Sequence, residues 1–131
     1  MKKLLIATSA LMLLSACGSK TGAGNSTSAG AAPIAAPAGT KWSETTAVTP
    51  DGGMRMGNPD APVKLIEYGA LSCSHCAEFS EKSKVELTAL VDKGTVSYEF
   101  RTFMLNPLDF PAALLARCNG PASFFPIAEQ L

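Results

Sequence analysis

The chain has 131 residues, of which 47% are hydrophobic and 17% charged, with eleven basic and eleven acidic side chains and no net charge. This composition fits one modest globular domain and excludes a disordered or fibrous chain. It also argues against a nucleic-acid partner, because the sequence has no basic cluster to neutralise a row of phosphates.

The first residues have the pattern of a bacterial secretory signal. Two lysines precede an apolar run from Leu4 to Leu14, and small residues follow. The run is shorter than the ~20 residues of a membrane-spanning helix, which favours a cleaved signal. Leu14 to Cys17 resembles a lipobox, which implies removal of residues 1–16 and a lipid on Cys17 that attaches the protein to a membrane. A signal that is cleaved without lipidation is the alternative. The predicted location is the cell envelope, on the periplasmic side.

Residues 17–50 are predicted to form the lipidated cysteine and a flexible tether. From Ser19 to about Thr40 the sequence is nearly all Gly, Ala, Ser, Thr and Pro, which buries too little apolar surface to offset the entropy of ordering. A transitional stretch follows, in which "TPDGG" indicates a turn and Met54 to Met56 is predicted to be a short edge strand. The folded domain is predicted to occupy residues 51–131.

The centre of the chain predicts a strand, a helix and a second strand. The run "VKLIEY", Val63 to Tyr68, has the length and composition of a strand. Apolar residues then recur at helical spacing from Ser72 to Val91, and Gly94 supplies a helix stop. The second strand alternates apolar and polar residues, and its predicted buried residues are Val96, Tyr98 and Phe100. Such an order normally gives a right-handed βαβ unit with parallel strands.

The last part of the chain predicts two short helices, Ala112 to Cys118 and Ala122 to Leu131. A free cysteine in a helix is most often a small buried apolar residue, so Cys118 is assigned to the core. Large apolar residues are also assigned to the core, namely Phe103, Phe110, Phe124, Phe125, Met54, Met56 and Met104.

Two cysteines, Cys73 and Cys76, enclose the only histidine, His75, where the first strand passes into the helix. With Ser72 or Cys73 as the helix N-cap, the Cys73 sulfur lies beside unpaired backbone N–H groups and the positive end of the helix dipole. His75 adds a positive charge or a hydrogen-bond donor, and all of these favour the thiolate. A pair with a stabilised thiolate holds its disulfide weakly and passes it to other proteins. Cys73 is the predicted nucleophile, and Cys76, one turn along, is the more buried resolving cysteine.

Three other uses of the cysteines are less well supported. A zinc site could use Cys73, His75 and Cys76, but structural sites usually need four ligands and only Cys118 remains. A static disulfide across so short a loop would constrain the unfolded chain little. A cysteine hydrolase needs a histidine brought from elsewhere in the fold, and the sequence has none besides His75.

From about Met56 onward the sequence resembles the DsbA-like thiol:disulfide oxidoreductases of the thioredoxin superfamily, through "MGNPDAPVKLIEYGALSCSHCAEF" and "FRTFMLNPLDFPAALLARC". The resemblance implies a thioredoxin-like α/β fold with a helical insertion and a redox-active Cys73–Cys76 disulfide without a cofactor. It also implies exported proteins with free thiols as substrates and a quinone-linked membrane oxidase that restores the disulfide. The family motif is usually C-P-H-C, so Ser74 replaces a proline here, and the position of His75 is a main determinant of oxidising power.

The resemblance also assigns a buried acid to Glu67, six residues before Cys73, where it assists proton transfer at Cys76. Alternation places Glu67 on the strand face of Val63 and Leu65. A carboxyl group among apolar neighbours must be paired or protonated. The alternative is a glutamate at the end of the strand that reaches solvent.

The family fold also has a strand pair, a final helix and a cis-proline loop facing the cysteines, and none of these is recognisable after Cys118. The sequence therefore predicts an incomplete domain without its C-terminal strands, from the N-terminal part of a longer protein. The predicted function is that of an envelope enzyme that introduces disulfides into exported proteins; a reductase or isomerase is the alternative direction. A non-enzymatic lipoprotein fragment with a structural or vestigial cysteine pair is the other alternative.

Overall fold

The computed structural model describes residues 32–131. The predicted signal peptide, the lipidation of Cys17 and the first part of the tether, residues 17–31, lie outside the described residues and stay predictions. The strands are β1 (Thr46–Val48), β2 (Met54–Met56), β3 (Val63–Gly69) and β4 (Val96–Thr102); the helices are a short 3-10 turn (Trp42–Glu44), α1 (Ser74–Asp92), α2 (Asp109–Arg117) and α3 (Pro121–Ala128). Within residues 32–131, no helix has both the length and the apolar character needed to cross a membrane.

The four strands form one sheet in the order β1-β2-β4-β3. β3 and β4 are parallel, with Val63 opposite Val96 and Gly69 opposite Thr102. They are joined by α1, so the predicted βαβ unit is confirmed, and α1 ends close to Gly94, whose positive φ of 71° suits a residue without a side chain. The other neighbours pair antiparallel.

The prediction that β2 is an edge strand is wrong. β2 pairs with β4 on one side and with β1 on the other. Met54 is consequently buried. The outer position belongs to β1, because the "TPDGG" turn folds Thr46–Val48 back along β2 as a hairpin.

Packing of the domain begins before the boundary predicted at residue 51. Trp42 is buried, and its indole N–H donates to the Ile34 carbonyl at 2.7 Å. The Ile34 N–H in turn donates to the Lys93 carbonyl at 2.8 Å. The end of the assigned tether therefore packs against the domain, because Trp42 supplies apolar surface and this segment finds backbone partners.

The core lies where β4, α1 and the C-terminal helices meet. Its buried residues are Trp42, Met54, Val91, Val96, Tyr98, Phe100, Ala116 and Phe124. The predicted burial of Val96, Tyr98 and Phe100 is thereby confirmed, but the predicted alternation is broken at Ser97, which is also buried. Phe124 lies against Phe100 and Phe125 with ring centroids 5.7 Å and 5.2 Å apart, and such aromatic pairs contribute about 0.5–1.5 kcal/mol beyond their buried area.

Several residues assigned to the core are exposed instead: Phe103, Met104, Phe110 and Cys118. The buried face of α2 is made of Asp109, Ala113 and Ala116, and the bulky Phe110 is exposed to solvent. Small residues let α2 approach closely, and a reading based on hydrophobicity alone assigns the larger side chains to that face. The predicted buried face of β3 is also open, since Val63 and Leu65 are exposed along the edge of the sheet.

Candidate active site

The cysteine pair lies where β3 passes into α1. The Cys73 N–H donates to the Ala70 carbonyl at 3.2 Å, which forms the turn before the helix. Cys73 is the helix N-cap, and its Sγ accepts the N–H of Cys76 at 3.4 Å. This confirms the prediction that the cap lies at Ser72 or Cys73 and places a sulfur where an oxygen usually satisfies the first N–H groups.

Only glycine fits at the end of β3. A Cβ atom at Gly69 would lie 2.5 Å from the Phe100 ring and 2.9 Å from the Glu67 carboxylate. The missing side chain lets the last residue of the strand pass between the core ring and the acid of the candidate site.

The two thiols have opposite pKa shifts. The pKa of Cys73 is lowered, first by a hydrogen bond from the Cys76 side chain and then by the backbone N–H groups of Cys76 and His75, which together outweigh partial burial. The pKa of Cys76 is raised, first by that same hydrogen bond with Cys73 and then by burial. The Cys73 thiol therefore loses its proton more readily than the Cys76 thiol.

Both cysteines are partly buried, so hydrogen bonding accounts for more of the difference between their pKa values than burial does. They line a cavity of about 430 Å³ whose wall is mostly apolar and includes Leu71, Leu87 and Phe125.

The His75 side chain points away from the cysteines. It is 93% exposed, and its Nδ1 lies 3.8 Å from a carboxylate oxygen of Glu78. Its backbone N–H, in contrast, lowers the pKa of Cys73. The contribution of His75 in this structure comes from the main chain, and the predicted role of its imidazole stays a prediction.

Glu67 is neither the fully buried acid nor the solvent-exposed glutamate that the sequence analysis considered. It is partly buried, and it accepts a hydrogen bond from the hydroxyl of Tyr98, which is buried in the core. Burial and this contact raise the pKa of Tyr98 well above its usual range. The charge of Glu67 also raises the pKa of Cys76. Its part in proton transfer stays a prediction.

Cys118, the third cysteine of the described segment, is exposed at the C-terminal end of α2 and is not part of this pair. Between residues 32 and 131, no three His, Cys, Asp or Glu side chains come together in a group that could hold a metal ion.

Asp109 is the residue near the site that the sequence analysis missed. It is fully buried and accepts the N–H groups of Ser72 at 2.9 Å and of Leu105 and Asn106 at 2.8 Å each. Burial alone would raise the pKa of Asp109, but these hydrogen bonds outweigh it and lower the pKa. A sequence signal existed, because Asn106 and Asp109 have the spacing of a capping box at the start of a helix.

Comparison with known proteins identifies the family to which this fold and site belong. The family model described as thioredoxin matches residues 49–131. The chain belongs to the thioredoxin family. The predicted thioredoxin-like fold and the resemblance to DsbA-like proteins are thereby confirmed.

Several proteins similar to this chain have names that refer to thiol–disulfide chemistry. The chain is 34% identical, over 76 residues, to a Rickettsia prowazekii protein named as a protein-disulfide oxidoreductase, covering 57% of this chain and 28% of that protein. It matches a protein-disulfide isomerase from Novosphingobium aromaticivorans at TM-score 0.56 and 32% identity, over 58% of this chain and 39% of the isomerase.

It also matches Wolbachia pipientis alpha-DsbA1 at TM-score 0.55 and 30% identity, over 62% of this chain and 41% of that structure. The chain thus spans less than half of each of these relatives.

Proposed function

We propose that this chain carries the redox centre of a thiol:disulfide oxidoreductase that introduces disulfides into exported proteins through Cys73 and Cys76. The observation that carries the proposal is the position of Cys73 as the N-cap of α1, where its Sγ accepts the Cys76 N–H at 3.4 Å; this lowers the pKa of Cys73, while the pKa of Cys76 is raised. A stabilised thiolate at Cys73 makes it a good leaving group, which favours donation of the disulfide. The names of the relatives support thiol–disulfide chemistry in general.

In the oxidised protein, a substrate thiolate attacks the Sγ of Cys73. The Cys73–Cys76 bond breaks, a mixed disulfide forms between substrate and Cys73, and Cys76 leaves as a thiolate that takes up a proton. A second substrate thiolate then attacks the substrate sulfur of the mixed disulfide and releases Cys73 as a thiolate. The substrate loses two electrons and gains a disulfide, and the cysteine pair gains the two electrons.

Hydrogen bonds at the start of α1 assist the departure of Cys73 in the second step. The N–H groups of Cys76 and His75 and the thiol of Cys76 stabilise the charge that develops on Cys73. In this scheme Glu67, which accepts the Tyr98 hydroxyl and whose charge raises the pKa of Cys76, exchanges a proton with the inner cysteine when that sulfur attacks or leaves.

The cellular setting is proposed from the N-terminal sequence. A signal at residues 1–16, a lipid on Cys17 and a tether would hold the domain at a membrane, on the periplasmic side of the envelope. Substrates there would be exported proteins with free thiols, and a quinone-linked membrane oxidase would accept the electrons from the reduced pair.

The first experiment is a measurement of the Cys73/Cys76 reduction potential. The 131-residue chain with Cys17→Ser and Cys118→Ser is equilibrated in glutathione buffers, free thiols are alkylated, and the oxidised fraction is read by mass. We expect a potential well above the about −270 mV of thioredoxin. A potential far below that value would instead indicate a reductase or a structural bridge.

The same chain with Cys76→Ser serves as the control, because it cannot close the Cys73–Cys76 disulfide; Cys73 should be found by mass only as the alkylated thiol or as its glutathione adduct. If the parent chain also lacks a defined, reversible transition, the redox centre is rejected in favour of a non-enzymatic lipoprotein fragment.

A further inference from the structure

The buried carboxylate of Asp109 lies beside the redox centre and has no part in the exchange steps described above. Asp109 is the first residue of α2 and has no exposed surface. A buried carboxylate is costly unless hydrogen bonds or opposite charges compensate it. Here the compensation comes from backbone N–H groups, which lower the pKa of Asp109 and keep it ionised.

Those N–H groups belong to two separate turns. Oδ1 accepts the N–H of Ser72, the residue directly before Cys73. Oδ2 accepts the N–H groups of Leu105 and Asn106, in the turn that follows β4. The side-chain amide of Asn106 also donates to the Ser72 hydroxyl at 2.5 Å. Asp109 thus ties the turn before the nucleophile to the start of α2.

The charged and titratable groups around the nucleophile come from five elements. On α1 they are Cys76, His75 and Glu78, with Glu81 and Lys84 in the wall of the same cavity; β3 and β4 supply Glu67 and Tyr98, α2 supplies Asp109, and Glu129 lies in the cavity wall at the end of α3. The His75 side chain points into solvent beside Glu78. Asp109 is the carboxylate whose charge acts on Cys73, and it opposes the thiolate.

We propose that Asp109 is a positioning residue for Cys73: its hydrogen bond fixes the Ser72–Cys73 turn at the start of α1, and its negative charge opposes that of the thiolate. A strongly stabilised thiolate leaves readily but is a poorer nucleophile, since nucleophilicity falls with pKa. An opposing charge at a fixed position limits how far the Cys73 thiolate is stabilised. Cys73 then leaves readily and still retains enough nucleophilicity to attack. The importance of this effect on Cys73 for catalysis rests on the proposed function. The hydrogen bonds of Asp109 to the two turns do not depend on it.

The test is the pH dependence of Cys73 alkylation by iodoacetamide. The reduced 131-residue chain with Cys17→Ser and Cys118→Ser is compared with the same chain carrying Asp109→Asn, and the modified cysteine is identified by peptide mass. Removing the like charge should lower the alkylation midpoint and make Cys73 react about twofold or more faster at pH 5. Loss of structure would move the midpoint the opposite way, towards that of an ordinary cysteine, so a purely structural role gives a different result.

Asp92→Asn is the matched control. Asp92 also accepts one backbone N–H, from Ser43 at 2.8 Å, but it lies at the far end of α1. Its substitution should leave the Cys73 midpoint unchanged. An unchanged or raised midpoint in folded Asp109→Asn, checked by circular dichroism, would overturn the proposal.

If Asp109→Asn does not fold, amide hydrogen exchange of the unsubstituted chain tests the proposal instead. The Ser72 N–H should exchange slowly at neutral pH because it is bound to the buried carboxylate, and unprotected exchange there would reject the proposal. Both measurements use reduced protein and need no disulfide exchange. They can therefore succeed where the reduction-potential experiment fails, and fail where it succeeds.

Discussion

Replacement of Phe124 by alanine should remove a large part of the stability of this domain. Phe124 has no exposed surface and contacts Phe100 and Phe125, while the Arg117 guanidinium lies 5.5 Å from its ring centroid. Truncation of a buried phenylalanine costs about 3–5 kcal/mol in lost transfer energy and residual cavity. Small domains have only about 5–15 kcal/mol of total stability. Phe124→Ala should therefore unfold at a much lower urea concentration than the parent chain.

The assay is urea unfolding followed by the fluorescence of Trp42, the only tryptophan, which lies in the same core. Phe110→Ala is the matched control: it makes the same chemical change on α2 at a side chain that is 61% exposed. Exposed substitutions usually change stability by about 0.5 kcal/mol or less. If the two variants lose equal stability, the assignment of α3 to the core and of the outer face of α2 to solvent is refuted.

Three further predictions concern β3 and β4. Tyr98→Phe removes the hydroxyl that donates to Glu67. The free energy of unfolding in urea should fall by about 0.5–1.5 kcal/mol, and the alkylation rate of Cys76 should change. An unchanged rate would show that Glu67 does not depend on this contact. Gly69→Ala places a Cβ against the core ring and the Glu67 carboxylate and should cost about 1–3 kcal/mol by overpacking, which equal stability of variant and parent would contradict. The pKa of Glu99 is lowered, first by the hydrogen bond from Arg101, so this stabilisation is present above the ordinary carboxyl pKa and lost as the pH falls through the lowered value. Glu99→Gln should therefore flatten the acid side of the stability–pH curve, and a curve as steep as that of the parent chain would count against the pairing.

At the cysteine pair, the features that depend on residues close in sequence could be predicted, and those that depend on distant residues could not. A capped helix start places sulfur beside free N–H groups regardless of what the rest of the chain does, so the position and lowered pKa of Cys73 were predicted from neighbours in sequence. Glu67 was found through the family resemblance, but its partner Tyr98 was not, because that contact joins residues 31 positions apart across two parallel strands. The direction of the His75 side chain was likewise not predictable, since an exposed rotamer at the start of a helix depends on local partners such as Glu78.

Local patterns determined the βαβ unit, the helix that begins at the cysteines and the buried side of β4, because hydrophobic period and capping act between residues close in the chain. Tertiary packing decided the inner position of β2, the burial of Phe124 but not Phe110, and the use of Asp109 near Cys73. These three features depend on which surfaces α2, α3 and the β1–β2 hairpin cover. A side chain's burial and a carboxylate's partners are set by segments distant in sequence, and no periodicity within one element encodes them.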